Sequence, residues 1–242
     1  MKIRHHKTYN NIDSFSDYFF RRQTIILSSY RTVRKKACEI AEIRRSRFIA
    51  NVFPIKDEKE AEQAIHALTV EHGKANHHCF AYTIGARQEI QKASDDGEPS
   101  GTAGVPILDV LKRHHICYTL IVVTRYFGGI KLGAGGLIRA YAHCAKAGLF
   151  AAEPIEQVPS ALWQLTADYP LQGTLENKLR ESVYTIKDIH YTDQVTFEIY
   201  TRETESIRFR DWVMDLTNGQ ALVKKTAELY RQRTLAPEEL NR

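Results

Sequence analysis

With 242 residues, 43% hydrophobic and 26% charged, the chain can bury a full core and is long enough for one large or two small domains, of which two are favoured. Its formal net charge of +5 is uneven: residues 1–47 hold 12 Lys or Arg against 4 Asp or Glu, and the remainder is slightly acidic. That excludes a general basic coat and leaves any polyanion partner to a local patch.

Residues 1–28 lack sustained periodicity and are expected to be a disordered extension that adds no domain. Ile12, Phe15, Tyr18 and Phe19 could line one short amphipathic helix of a docking arm. From Tyr30 the pattern changes. Cys38–Ile43 and Arg47–Ile55 alternate as two strands, with Arg44, Arg45, Ser46 and Arg47 as their polar connection. Asp57 can cap a helix whose Glu60 completes a capping box, with Ala61, Ala64, Ile65 and Leu68 on one face and Gly73 at its end. His78–Ile84 alternates again as a strand.

The segment 94–106, SDDGEPSGTAGVP, has almost no apolar side chain and is a long acidic loop, with Pro106 expected to start the next helix. Long loops inside compact domains are often functional. Asp95, Asp96 and Glu98, with Ser100 and Thr102 beside them, therefore form a candidate site, the carboxylates as metal ligands or acid/base groups. A buried strand around Leu120–Val123 then empties into a turn rich in Gly128, Gly129, Gly133, Gly135 and Gly136. A helix follows with Leu137, Ile138, Tyr141, Cys144, Ala145 and Leu149 at buried spacing. Strand, glycine-rich turn and helix N-terminus make a candidate anion or RNA-phosphate site, with Arg125, Tyr126, Phe127, Lys131 and Arg139 beside it. Close packing of loop and helix accounts for the same glycines equally well.

Pro154 and Pro159 bracket a polar stretch that reads as the domain boundary. Beyond it the order is β-α-β-β-α-β: a strand at Leu162–Ala167, a helix at Leu171–Val183, a hairpin around Thr192 and Asp193, a helix at Thr204–Leu216 and a strand at Ala221–Tyr230. This is the split βαβ pattern of a ferredoxin-like domain.

Several chemistries find no support. The glycines match neither a P-loop nor a dinucleotide fingerprint. Cys38, Cys79, Cys117 and Cys144 form no CxxC pair and sit in apolar segments, so reduced buried thiols are expected, with no disulfide and no iron–sulfur cluster. His77, His78 and Cys79 lack the further ligands a zinc site needs, and no metal or cofactor is expected. No apolar run approaches a membrane span and no signal core follows the basic N-terminus, so a cytoplasmic location without membrane contact is expected.

The runs SDDGEPSGTAGVPILDVL and VVTRYFGGIKLGAGGLIRAYAHC resemble the signature of the YigZ/IMPACT family, and the likeness extends over about Tyr30–Ala236. The resemblance implies an α+β chain in two parts. Residues 29–153 would form an IMPACT N-terminal domain with the ribosomal protein S5 domain 2-like fold, and residues 160–236 a ferredoxin-like domain. The pair is similar to the two C-terminal domains of elongation factor G. Eukaryotic members inhibit activation of the general-control translation kinase by competing for its activator protein, and no enzyme activity defines the family. The expected function is therefore a non-enzymatic, translation-associated regulator that binds RNA, the ribosome or a translation-factor partner. The alternative is a small metal-dependent hydrolase built on Asp95, Asp96 and Glu98. Oligomeric state is left open.

Overall fold

The computed structural model describes residues 28–240, and the expectation for the N-terminal extension lies outside them. The first half comprises β1 (Tyr30–Val33), β2 (Ala37–Ile43), β3 (Ser46–Pro54), α1 (Glu58–Glu71), β4 (His77–Ile84), β5 (Ile90–Ser94), α2 (Gly104–Arg113), β6 (Thr119–Tyr126) and α3 (Ala134–Ala151). Strands β2-β3-β6-β4-β5 form an antiparallel sheet in that order. Arg44 and Arg45 make the two-residue turn between β2 and β3, both with positive φ (47° and 64°), a conformation that costs non-glycine residues energy.

The sheet is covered on both faces. On one, Ala61 and Leu68 of α1 pack against Tyr82, Ile84, Leu120 and Val122. On the other, α2 and α3 bury Ile107, Leu111, Leu137, Tyr141 and Leu149 against Phe48, Ala50, Val52, Ala81, Ile121 and Val123. Such side chains contribute about 1.5–3 kcal/mol each when fully buried. Asp57 caps α1 as its sequence predicts, its carboxylate accepting from the Glu60 N–H at 2.9 Å, while the Glu60 carboxylate reaches back to the Lys56 N–H at 2.8 Å.

The second half comprises β7 (Pro154–Ala167), α4 (Tyr169–Glu181), β8 (Thr185–Tyr191), β9 (Val195–Arg202), α5 (Ser206–Leu216), β10 (Leu222–Thr234) and α6 (Pro237–Leu240). The antiparallel order β10-β7-β9-β8 completes the ferredoxin-like arrangement. Leu175, Leu179, Phe209 and Val213 of its helices bury one sheet face, formed by Ala161, Trp163, Leu165, Phe197 and Ile199. Together the halves give the α+β architecture that the element order implies.

The stretch expected to be a polar linker, Pro154–Ser160, is instead the first half of β7. Pro154 opens the strand, where a missing N–H is tolerated. Pro159 falls where one edge of β7 lies between partners, since β1 pairs with 154–157 and β9 with 160–167. The N-terminal strand β1 thus belongs to the second sheet, although residues 29–153 were expected to form the first domain by themselves. Its backbone also reaches the first half, where the Cys117 N–H donates to the Arg31 carbonyl at 2.8 Å. The Tyr30 ring lies 5.0 Å from Tyr118 and 5.1 Å from Tyr230, joining both halves.

Smaller differences have local causes. Helix α2 begins at Gly104, ahead of Pro106, because a distant side chain caps it, as described below. Cys38 lies exposed on edge strand β2, while the other three thiols are buried. Ile138 is 43% exposed, since the buried face of α3 runs through Leu137, Ala140, Tyr141 and Cys144. Among the described residues no helix is long and apolar enough to cross a membrane.

Candidate functional site

Two loops flagged by composition meet at one end of the first sheet. The acidic loop follows edge strand β5, and each of its carboxylates has a separate protein partner. Asp95 accepts from the N–H groups of Gly101 (2.8 Å), Ala103 (2.9 Å) and Gly104 (2.8 Å), and so caps α2 from nine residues upstream. Burial works to raise the Asp95 carboxyl, but these three donors outweigh it and hold the group below its ordinary value. Asp96 accepts from the His78 N–H at 2.5 Å. Glu98 turns inward: its side chain is 4% exposed and its Oε1 receives both the Arg125 Nη1 at 2.6 Å and the Tyr141 hydroxyl at 2.7 Å. Ser100 stays exposed, and the buried Thr102 hydroxyl donates to the Pro99 carbonyl at 2.6 Å.

The three carboxylates therefore point to three different places. Among the described residues no group of three His, Cys, Asp or Glu side chains is placed to hold a metal. The Cys79 thiol lies 2.9 Å from the Asp95 carbonyl and 3.3 Å from the Tyr141 oxygen, and burial pushes it up to about 12, which makes it an inert thiol near neutral pH. Burial likewise raises the Tyr141 phenol, which donates to Glu98 as a neutral group.

The glycine-rich turn follows β6. Arg125, expected to face an anion, is an internal strut only 4% exposed, with its guanidinium between the Phe48 and Phe127 rings at 5.4 and 5.5 Å. Its Nη2 reaches the Ser46 hydroxyl at 3.3 Å. Tyr126 is turned away from the turn, its hydroxyl 3.1 Å from the His72 ring at the end of α1. Gly128 is a packing glycine, because a Cβ there would meet the Arg45 carbonyl at 1.9 Å. Gly129 and Gly133 instead serve the backbone, with φ of 83° and 73° and open space beside them. Gly133 is the N-cap of α3 and supplies no side-chain cap, while Gly135 and Gly136 leave the first turn of that 18-residue helix bare.

Around this bare turn lie cations that form no ion pair within 4.0 Å among the described residues: Lys131, Arg139 one helical turn beyond Gly135, and Arg44 and Arg45 at the tip of the β2–β3 hairpin. Arg44, Leu132, Gly136, Arg139 and His143 line one concavity of about 390 Å³. The packing of Gly128 on Arg45 brings the hairpin tip to the glycine turn. Sequence reasoning singled out Lys131, Arg139 and the glycines but treated the hairpin arginines as a connection. The pairing of Arg47 with Tyr126, which places the hairpin, is a long-range fact that local pattern does not contain. In the sequence Tyr141 is one member of an apolar stripe, and nothing local marks its hydroxyl as a partner of Glu98.

Comparison with known proteins places these two halves in context. Residues 44–149 match the IMPACT N-terminal domain and residues 165–220 a domain of unknown function, DUF1949. The chain is 45% identical over 210 residues to "IMPACT family member YvyE" of Bacillus subtilis, covering 87% of this chain and 97% of that one. It is 34% identical over 154 residues to "IMPACT family member YigZ" of Escherichia coli, covering 60% and 76%. A solved structure titled "Crystal structure of an hypothetical protein" superposes with a TM-score of 0.53 at 28% identity, over 84% of this chain and 99% of the other. The chain belongs to the IMPACT family.

Proposed function

We propose that the protein is a non-enzymatic, translation-associated regulator that docks on the phosphate backbone of RNA, on the ribosome or as free RNA, through the bare N-terminus of α3 and the cations around it. The observation that carries this reading is the concentration of Arg44, Arg45, Lys131 and Arg139, without carboxylate partners among the described residues, beside an uncapped helix N-terminus. Backbone N–H groups there point outward, the helix dipole favours negative charge, and glycines let a phosphate approach the main chain. Unpaired cations attract a polyanion through counterion release, which requires no base contact. The family's translational role, implied by resemblance to its eukaryotic members, fits such a surface.

The test is ribosome co-sedimentation and RNA binding across a salt series. Lys131→Glu and Arg139→Glu should each weaken binding irrespective of RNA sequence and flatten the salt dependence by about one counterion or more, with stability changed by less than about 0.5 kcal/mol. Wild-type protein that binds neither RNA nor ribosomes at low salt would overturn the RNA reading in favour of a protein partner.

A further inference from the structure

Helices α4 and α5 cover only one face of the second sheet. Alternation along β7 and β9 places Leu162, Gln164, Thr166, Thr196, Glu198 and Tyr200 on the other, all of them half-buried. At one end of that open face, Val158, Ser160, Tyr200, Arg202 and Arg231 line a cavity of about 380 Å³ together with the Glu205 carboxylate. The Arg231 guanidinium lies 4.4 Å from the centre of the Tyr200 ring, and neither Arg231 nor Arg202 forms an ion pair among the described residues. The neighbouring Arg233 differs, because Glu156 and Glu239 neutralise it.

We infer that this open sheet face is a binding site for single-stranded nucleic acid, with the Arg231 guanidinium, held over Tyr200, as a stacking surface for a base and Arg202 as a phosphate ligand. The chemistry follows from what the cavity offers. A guanidinium resting on an aromatic ring presents its outer π-surface to a second ring, and bases stack on such planes whatever their identity. Arg202, two residues along β9 from Tyr200 and across β7 from Arg231, has no carboxylate partner among the described residues and supplies the charge that a backbone phosphate needs. Glu205 can accept hydrogen bonds from an exocyclic amino group, the one polar contact here that distinguishes bases. A duplex keeps its base faces stacked internally, so this platform selects unpaired strands. Tyr200 acts as a positioning residue and Arg231 as the contact.

The experiment titrates full-length protein into short fluorescein-labelled oligouridylate, oligothymidylate and an RNA duplex, followed by anisotropy. Wild type should prefer the single strands. Arg231→Gln and Tyr200→Leu should each weaken single-strand binding about five-fold or more while leaving duplex binding unchanged, whereas Tyr200→Phe, which keeps the ring, should bind as wild type. Weakening for both oligonucleotides is the result expected of a base stack, and weakening for oligouridylate alone would overturn the stacking role in favour of a 2′-hydroxyl contact. Arg139→Glu in parallel reports on the first-half surface: it should lower affinity for duplex and single strand alike, and its failure would leave the sheet site standing. Wild-type single-strand affinity in both Arg231→Gln and Tyr200→Leu, or equal affinity of wild type for duplex and single strand, would overturn the inference. Arg231 is partly exposed, so its replacement keeps the test valid if Tyr200→Leu fails to fold.

Discussion

The acidic loop after β5 and the glycine-rich turn after β6 lie together at one end of the sheet, yet they use charge in opposite ways. Asp95, Asp96 and Glu98 are each engaged by donors of the protein itself, and Glu98 is drawn wholly inside. Lys131, Arg139 and the hairpin-tip residues Arg44 and Arg45 have no carboxylate within 4.0 Å among the described residues. A carboxylate near backbone N–H groups readily becomes part of the framework, whereas cations left without partners remain available to something outside the chain. Acidic residues clustered in sequence are thus poor evidence of a catalytic centre unless their oxygens converge.

Glu98→Ala should test this contrast most severely. It strands the buried Arg125 guanidinium, whose Nε already has no hydrogen-bond partner, and loss of about 3–5 kcal/mol is expected in chemical denaturation. A change under 1 kcal/mol would mean that the acidic loop is not the framework described here.

Next in size, Asp95→Asn should lose about 2 kcal/mol near neutral pH by weakening charge-assisted bonds to three N–H groups. Because the folded carboxyl lies below its ordinary value of 3.8, its contribution is complete above about pH 4 and is lost as pH falls through the folded value. Urea midpoints should therefore fall more steeply on acidification in wild type than in Asp95→Asn.

The glycine turn divides in the same manner. Gly128→Ala drives a Cβ into the Arg45 backbone and should cost about 1–3 kcal/mol, while Gly135→Ala meets only the Arg139 guanidinium, in ordinary contact at 3.6 Å, and should stabilise α3 by up to about 1 kcal/mol. If Gly135→Ala also weakens RNA binding, the bare first turn is itself approached by phosphate. Unchanged binding confines the contact to the flanking cations.

Much of the architecture was legible because periodicity and capping are local. Asp57 announces α1, and the alternations from Leu162 onward delimit the ferredoxin-like half. The stretch at Pro154–Ser160 misled because two prolines normally interrupt a ladder, and only the division of one edge of β7 between β1 and β9 explains why they do not. At the candidate site, loop glycines and outward cations could be named from spacing. The inward turn of Glu98 could not, since its partners Arg125 and Tyr141 come from a distant strand and helix.

Strand β1 carries a consequence for how the molecule is made. Emerging early from the ribosome, Tyr30–Val33 must wait for Gln157 and its neighbours before it can pair, and β10, which flanks the other edge of β7, comes later still. The first half can thus collapse around α1, α2 and α3 during synthesis while its leading strand, tethered at Arg31 to Cys117, still lacks its strand partner. Closure of that long loop is entropically costly and belongs among the late, slow events of folding. A stalled or truncated chain that ends before β7 would consequently display an unpaired edge to the surveillance machinery of the cell, and release of the complete chain would conceal it.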